Sequence, residues 1–144
     1  MTHTKLSSIN SIITSHPWLI PLVWFISRKG CREFTISELS KDLGVSGRLA
    51  RSLAYYGVRV GLLSRTRESY SATICPRNSL NITRNDRVFV AVLGESFFVA
   101  KVGRRRIKWF TVPRWAVEGE GEVNVSGKLR ARARLVGRVL KSLS

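Results

Sequence analysis

Apolar residues in the first half of the chain recur at the spacing of amphipathic helices. This spacing predicts four helices, over 5–15, 18–29, 36–43 and 47–56. His16 and Pro17 separate the first helix from the second. Gly30 is expected to end the second helix, because glycine is a frequent residue just past a helix end. Gly44 permits a tight turn between the third and fourth helices, and Ser46 is a suitable N-cap for the fourth.

After the fourth helix the apolar positions alternate with polar ones, which is the period of a half-buried strand. Segments 58–63 and 70–74 therefore predict a hairpin, with a basic tip at 65–69. Residues 76–85 are polar and predict a linker. Three further apolar segments, over 87–93, 96–102 and 107–112, are joined by short turns, and they favour an antiparallel meander or a half-open barrel.

The last segment, over 117–140, fits two patterns. As a helix from Lys128, it lines one face with Leu129, Ala133, Val136, Leu140 and Leu143. As a hairpin, it pairs Glu122 with Arg130, Glu120 with Arg132 and Glu118 with Arg134, and it places Ala131 and Ala133 together on the other face. We favour the hairpin with a helical end after Val136, because a single register pairs opposite charges on one face and small or apolar residues on the other. Each opposite-charge pair contributes about 0.2–1 kcal/mol.

Charge separates this chain from an ordinary globular protein. The 144 residues include 25 Lys and Arg against 9 Asp and Glu, a net charge of +16, while the apolar fraction of 44% is unremarkable. Residues 1–75 carry +6 and residues 76–144 carry +10, so both halves are basic. Nucleic acid is the expected partner, since neutralising phosphates releases counterions. A solvated basic surface and an anionic lipid surface are the alternatives.

The stretch ISELSKDLGVSGRLARSLAYYGVRVGLL resembles the winged helix-turn-helix superfamily of DNA-binding regulators over about residues 18–75. The likeness is carried by the apolar-Glu-Leu pattern of the supporting helix, Gly-Val-Ser at the turn, and Gly61-Leu62-Leu63 at the start of the wing. The opening of the second half is only faintly similar to SH3-like or AbrB-like barrels. The expected fold is therefore α+β, with a winged helix-turn-helix domain over 1–75, a linker over 76–85 and a small basic antiparallel β domain over 86–144.

The resemblance implies that the helix after Gly-Val-Ser enters the major groove and that the wing touches the DNA backbone or minor groove. By position, the groove-facing residues would be Gly47, Arg48, Arg51, Ser52 and Tyr55, with Arg65 and Arg67 on the wing. Gly47 departs from the polar residue usual there. From the second half, the basic turn and the strand after it add candidate phosphate contacts at Arg104, Arg105, Arg106 and Lys108. Nearby Trp109, Phe110 and Trp115 are expected in the core.

Other functional classes find little support. His3 and His16 have no evident nucleophile or carboxylate partner, and no catalytic residue, metal site or cofactor is predicted. Cross-strand ion pairs explain Glu118, Glu120 and Glu122 better than metal ligation does. The two cysteines, at 31 and 75, are expected to be buried thiols of an intracellular protein. The apolar stretch 17–26 is too short to span a membrane, because about 20 residues are needed.

The sequence thus predicts a non-enzymatic, cytoplasmic DNA-binding protein, associated with the nucleoid or a particle, that acts as a transcription regulator. DNA is favoured over RNA, no membrane partner is expected, and a homodimer would suit palindromic sites. Two alternatives stay open. One is an RNA-binding component of a ribonucleoprotein particle, and the other is an architectural or adaptor subunit of a DNA-processing complex.

Overall fold

The computed structural model describes residues 2–29, 32–74, 81–117 and 127–142, with side chains described from Ile9 onward. The fold is mixed α+β, with helices in the N-terminal half followed by two antiparallel sheets. The helices are α1 (Thr2–Ser15), α2 (Ile20–Lys29), α3 (Ile36–Leu43), α4 (Gly47–Arg59), α5 (Arg114–Val117) and α6 (Gly127–Lys141), with a 3-10 turn at Pro17–Leu19. The strands are β1 (Leu63–Thr66), β2 (Ser69–Ala72), β3 (Ile82–Asn85), β4 (Val88–Leu93), β5 (Ser96–Val102) and β6 (Ile107–Pro113).

Local side-chain and backbone chemistry sets both ends of α3 and the start of α4, and the roles of Gly44 and Ser46 are those predicted from the sequence. The Thr35 hydroxyl accepts the Glu38 amide at 3.2 Å and caps the start of α3. Gly44, with a φ of 67°, ends α3 in the left-handed conformation that glycine adopts without penalty. The Ser46 hydroxyl accepts the Leu49 amide at 3.1 Å and caps α4, as expected for an N-cap serine.

The larger sheet is a meander in the order β3-β4-β5-β6, and helices cover both of its faces. Side chains alternate between the two faces of a strand, so each strand supplies both layers of core. One face packs Phe89, Ala91, Phe98, Ala100 and Val102 against α1 to α4. The other packs Val90, Phe97, Val99 and Val112 against Ala133, Val136 and Val139 of α6. The first apolar cluster therefore contains residues from both halves of the chain.

The first strand of the small hairpin begins later than predicted. Val58 lies in α4 and Val60 caps its end, so neither belongs to a strand. Gly57 lies within α4 and is packed closely, because a Cβ atom there would lie 2.8 Å from both Leu22 Cδ2 and Leu63 Cδ1. The chain turns instead near Gly61, where φ is +84°.

Two predictions for the second half need correction. The linker predicted over 76–85 contains β3, and residues 75–80 lie outside the described part. The hairpin favoured for the last segment is wrong over 127–141, where Arg130, Arg132 and Arg134 are helical. The helix is favoured because it presents Ala133, Val136 and Val139 to the sheet as one continuous apolar face. A strand would place these residues on two opposite faces. Glu118, Glu120 and Glu122, their predicted partners, lie outside the described residues.

No single helix among the described residues has the length and apolar character needed to cross a membrane, although two bent neighbours, Ile9–Ser15 and Pro17–Lys29 at 119°, meet those criteria jointly.

Two alanines distinguish the helix from the hairpin experimentally. Ala133 is buried in the helix and Ala131 is exposed, whereas the hairpin register gives them the same environment. Ala133→Asp should lower the free energy of unfolding by roughly 2–3 kcal/mol more than Ala131→Asp, because only the former buries a carboxylate without a partner. Both variants replace alanine by aspartate within the same helix, so both lose the same intrinsic helix propensity. Ala131→Asp is therefore a matched control. Equal losses in urea unfolding would contradict this packing.

Candidate functional site

The outward face of α4 is polar, basic and open. Arg48, Arg51, Ser52 and Tyr55 are all exposed, Tyr55 with 58% of its surface accessible. Ala50, Leu53 and Ala54 on the opposite side are buried in the core. Gly47, the first residue of the helix, has no atom within 4 Å of where a Cβ would stand. Among the described residues, the second half of the chain therefore leaves this face of α4 uncovered.

The β1–β2 hairpin contributes a second wall beside α4. A groove between them is lined by Arg51, Tyr55, Arg65 and Glu68, among others. The guanidinium of Arg65 lies 5.7 Å from the centre of the Tyr70 ring, which also lines the groove. The predicted wing residue Arg65 thus joins the α4 surface.

Arg67 is placed differently from Arg65. It occupies the hairpin tip with a φ of 52° and lines a separate hollow that also contains Glu33 and Glu68. Its side chain is exposed at the tip.

The basic turn between β5 and β6 lies against the start of α4. The Ser46 amide donates a hydrogen bond to the Arg104 carbonyl oxygen at 2.7 Å, and the Gly103 amide closes the turn onto the Arg106 carbonyl oxygen at 2.8 Å. Arg104, Arg105 and Arg106 are exposed. The Arg104–Arg106 turn thus lies at the N-terminal end of α4, although more than fifty residues separate it from Ser46 in the sequence.

The β3–β4 turn reaches the same region. A Cβ atom built on Gly44 would lie 2.9 Å from a terminal nitrogen of Arg87, so the Arg87 guanidinium rests on the α3–α4 turn. Arg84 has a structural role: it is paired with the Asp42 carboxylate at 3.8 Å, donates to the Asp42 carbonyl oxygen at 3.1 Å and stacks 4.6 Å from the Trp24 ring. Arg87 is exposed, whereas Arg84 is half-buried.

Lys108 does not join the α4 surface. It lies in β6 directly opposite Lys101, on the face of the sheet that α6 covers.

The expectation that the neighbouring tryptophans are core residues is wrong, because Trp109 is 51% and Trp115 43% exposed. Phe110 is partly buried against the α6 cluster, as expected.

Two exposed cations near α4 were missed at the sequence level. Arg59 follows Tyr55 by four residues in the last turn of α4, so helical spacing alone puts it on the same face. Arg87 follows the first turn of the meander. In an antiparallel meander, alternate turns share one end of the sheet, which places the β3–β4 turn beside the β5–β6 turn. Helical spacing could therefore have predicted the position of Arg59, and the order of strands could have predicted that of Arg87.

No known family model, curated protein or solved structure matches this chain. Function must therefore be inferred from its own geometry and chemistry. Within the described residues, no group of three or more His, Cys, Asp or Glu side chains could hold a metal ion. Both cysteines and the glutamates of 118–122 lie outside the described part.

Hydrogen exchange tests the contact between the β5–β6 turn and α4. An N-cap amide ordinarily faces solvent, but that of Ser46 is bonded to Arg104 and should exchange much more slowly than its intrinsic rate. The Gly47 amide, in the first helical turn, has no intrahelical acceptor and serves as the internal reference. If the two amides exchange equally fast in an NMR measurement, the turn is not held against the helix.

Proposed function

We propose that the protein binds double-stranded DNA and that residues 18–75 form a winged helix-turn-helix domain with α4 as its recognition helix. The proposal is supported by the order of elements: α3, a tight turn at Gly44, α4, then the β1–β2 hairpin. It is also supported by the exposure of the polar face of α4. A recognition helix must stand clear of its scaffold to enter a groove.

The observation that carries the proposal is the hydrogen bond from the Ser46 amide to the Arg104 carbonyl oxygen. It brings the exposed arginines of the β5–β6 turn to the N-terminal end of α4, near Arg48. That end of a helix also carries a partial positive charge from its free amides. A phosphate backbone is the ligand that matches such a concentration of donors and cations.

Each part of the surface has a distinct role in the proposed complex. Arg48, Arg51, Ser52 and Tyr55 face the major groove, where arginine pairs with the O6 and N7 acceptors of guanine. The cations of the sheet end, Arg87 and Arg104–106, contact phosphates beside that groove, and Arg65 and Arg67 on the wing contact the adjacent backbone. Phosphate contacts set register and orientation rather than sequence.

One feature of α4 favours modest sequence specificity. Gly47 allows α4 to approach the DNA closely, since the space where its Cβ would stand is open, but it offers no side chain to a base edge. We therefore expect phosphate contacts to supply most of the affinity.

The double variant Arg48→Ala/Arg51→Ala tests the proposal. If both arginines contact phosphate, the slope of log K against log salt should fall by about 2, roughly one unit per contact. If either contacts a base instead, discrimination between duplex sequences should drop, with a loss of about 1–3 kcal/mol at that position. Fluorescence anisotropy on labelled duplexes across a salt series measures both quantities.

The double variant Lys128→Ala/Arg134→Ala is the matched control, because it also removes two positive charges. Both residues are exposed in α6, which covers the opposite face of the sheet from α4. It should change duplex affinity much less than the α4 variant. Equal effects of the two variants would reduce the interaction to net charge. Preference for structured RNA over every duplex would indicate a ribonucleoprotein component, and duplex binding that ignores the α4 variant would indicate an adaptor.

A further inference from the structure

The strand β6 forms one edge of the large sheet, with β5 on one side and no described strand on the other. An exposed edge offers a row of unpaired N–H and C=O groups to another chain, and proteins usually protect it with charges, prolines or short strands. This strand has seven residues, its charged residue is Lys108, and its proline, Pro113, is the last residue. Most of the edge is therefore able to pair.

The β5–β6 register identifies the backbone groups of β6 that are unpaired. The Gly103 amide bonds to the Arg106 carbonyl oxygen and closes the turn, and bonded and non-bonded pairs alternate from there along an antiparallel ladder. The groups that point away from β5 therefore belong to Ile107, Trp109 and Thr111. Among the described residues, no hydrogen bond occupies them.

The two faces of this edge differ chemically. Lys108 and Phe110 point toward α6, whereas Trp109 and Thr111 point to the face that carries the N-terminal helices. Trp109 is 51% exposed, and Thr111 is exposed beside it. A strand added to β6 would continue this alternation, with one set of its side chains beside Lys108 and the other beside Trp109.

The α6 side of the edge concentrates positive charge. A groove of about 630 Å³ lies there between α6 and the β5–β6 pair, and none of its described lining residues is acidic. Its cations are Lys101, Lys108, Arg132 and Arg138. Lys101 and Lys108 are direct cross-strand partners, and like charges at such positions destabilise a sheet. Carboxylates on the α6 side of an added strand would relieve that repulsion.

A ligand of this edge must match both its backbone and its charge. Phosphate oxygens would neutralise the cations, but they accept hydrogen bonds and therefore cannot satisfy the outward carbonyl oxygens. A second copy of this chain would satisfy the backbone, but it would bring another net charge of +16 and a second set of cations to the α6 face. An extended acidic polypeptide meets both requirements, because a strand supplies donors and acceptors in the spacing of the edge.

We propose that the β6 edge binds an extended segment of a partner protein in which acidic and apolar residues alternate. The segment adds a strand to the sheet through the backbone of Ile107, Trp109 and Thr111. Its acidic side chains face Lys108 and the cationic groove, and its apolar side chains cover Trp109. This is a protein-binding site that goes beyond duplex recognition by α4 and does not depend on it.

The first test uses the full-length protein and an eight-residue labelled peptide of alternating Glu and Val. The control peptide has proline in place of each valine, which keeps the charge and removes the N–H groups that would bond to the edge. Fluorescence anisotropy should show binding of the first peptide and at least about tenfold weaker binding of the second. Equal binding of the two peptides would reduce the interaction to charge and overturn the inference.

The second test changes the edge itself. Thr111→Pro removes one outward N–H without altering the charge, and that group takes no part in the pairing with β5, so proline is acceptable there. It should weaken binding of the Glu-Val peptide by about tenfold, whereas Thr111→Val, which keeps the N–H, should not. Thermal unfolding verifies that both variants are folded. Equal peptide affinities of the two folded variants would contradict strand addition.

Lys108→Ala tests the charge and does not require a proline in the strand. It should lower affinity for the Glu-Val peptide by up to about fivefold at low salt, and the difference should shrink as salt is added. Lys128→Ala is the matched control, because Lys128 is an exposed cation of α6 that does not line the groove. Equal effects of the two variants would overturn the assignment of the acidic side chains to this groove.

Other occupants of the edge have distinct signatures. A dimer in sedimentation that Thr111→Pro dissociates, without peptide binding, would assign the edge to a second copy. Oligonucleotide binding that Lys108→Ala weakens, without peptide binding, would assign the groove to nucleic acid. Either result would overturn the inference.

The result is separable from duplex recognition. Arg48→Ala/Arg51→Ala should weaken duplex binding and leave peptide binding unchanged, and Thr111→Pro should do the reverse. Failure of the peptide arm alone removes this site and leaves the α4 proposal intact. Failure of the duplex arm alone does the opposite.

Discussion

The backbone hydrogen bond between the Ser46 amide and the Arg104 carbonyl oxygen joins two parts of the chain that the sequence separates by a predicted domain boundary. Around it, Arg84 stacks on Trp24 and pairs with Asp42, while Arg87 rests on the turn at Gly44. These contacts hold the end of the sheet against the α3–α4 turn. The backbone segments that carry the cations of both halves therefore have fixed positions relative to α4, and a ligand that spans them need not order those segments first.

The two-faced sheet explains how so basic a chain stays folded. Self-repulsion at +16 opposes compaction, and two apolar layers offset it. The alternation of strand side chains supplies both layers from the same strands: Phe89 and Phe98 pack toward the N-terminal helices, while Val90 and Val99 pack toward α6. Because helices cover both faces, the exposed cations lie outside the core.

Sequence patterns predicted the elements whose signals are local. Ser46 and Gly44 define the α3–α4 turn through capping and backbone conformation, and both need only neighbouring residues. The last segment was misjudged because its arginines alternate as in a strand while its apolar residues also fit a helix. Only the sheet face formed by Val90, Val99 and Val112 decides between them, and that face is distant in sequence. Strand β3 was missed for the same reason: its pairing with β4, not its polar composition, makes it a strand.

In the candidate site, too, some features follow from local sequence and others depend on long-range contacts. The exposed face of α4 follows from helical spacing, but the approach of Arg104 to Ser46 depends on one long-range hydrogen bond that no local pattern encodes. The arginines also differ in ways that composition hides. Arg84 and Arg132 each stack 4.6 Å from an aromatic ring, yet Arg84 pairs with a carboxylate of the supporting helix, whereas Arg132 lines an open groove. In the first case the stacking joins β3 to Trp24 of α2, and in the second it places a planar cation at an open groove. Net charge alone therefore overstates the surface available to a polyanion, and the partner of each guanidinium determines whether it belongs to the fold or to the interface.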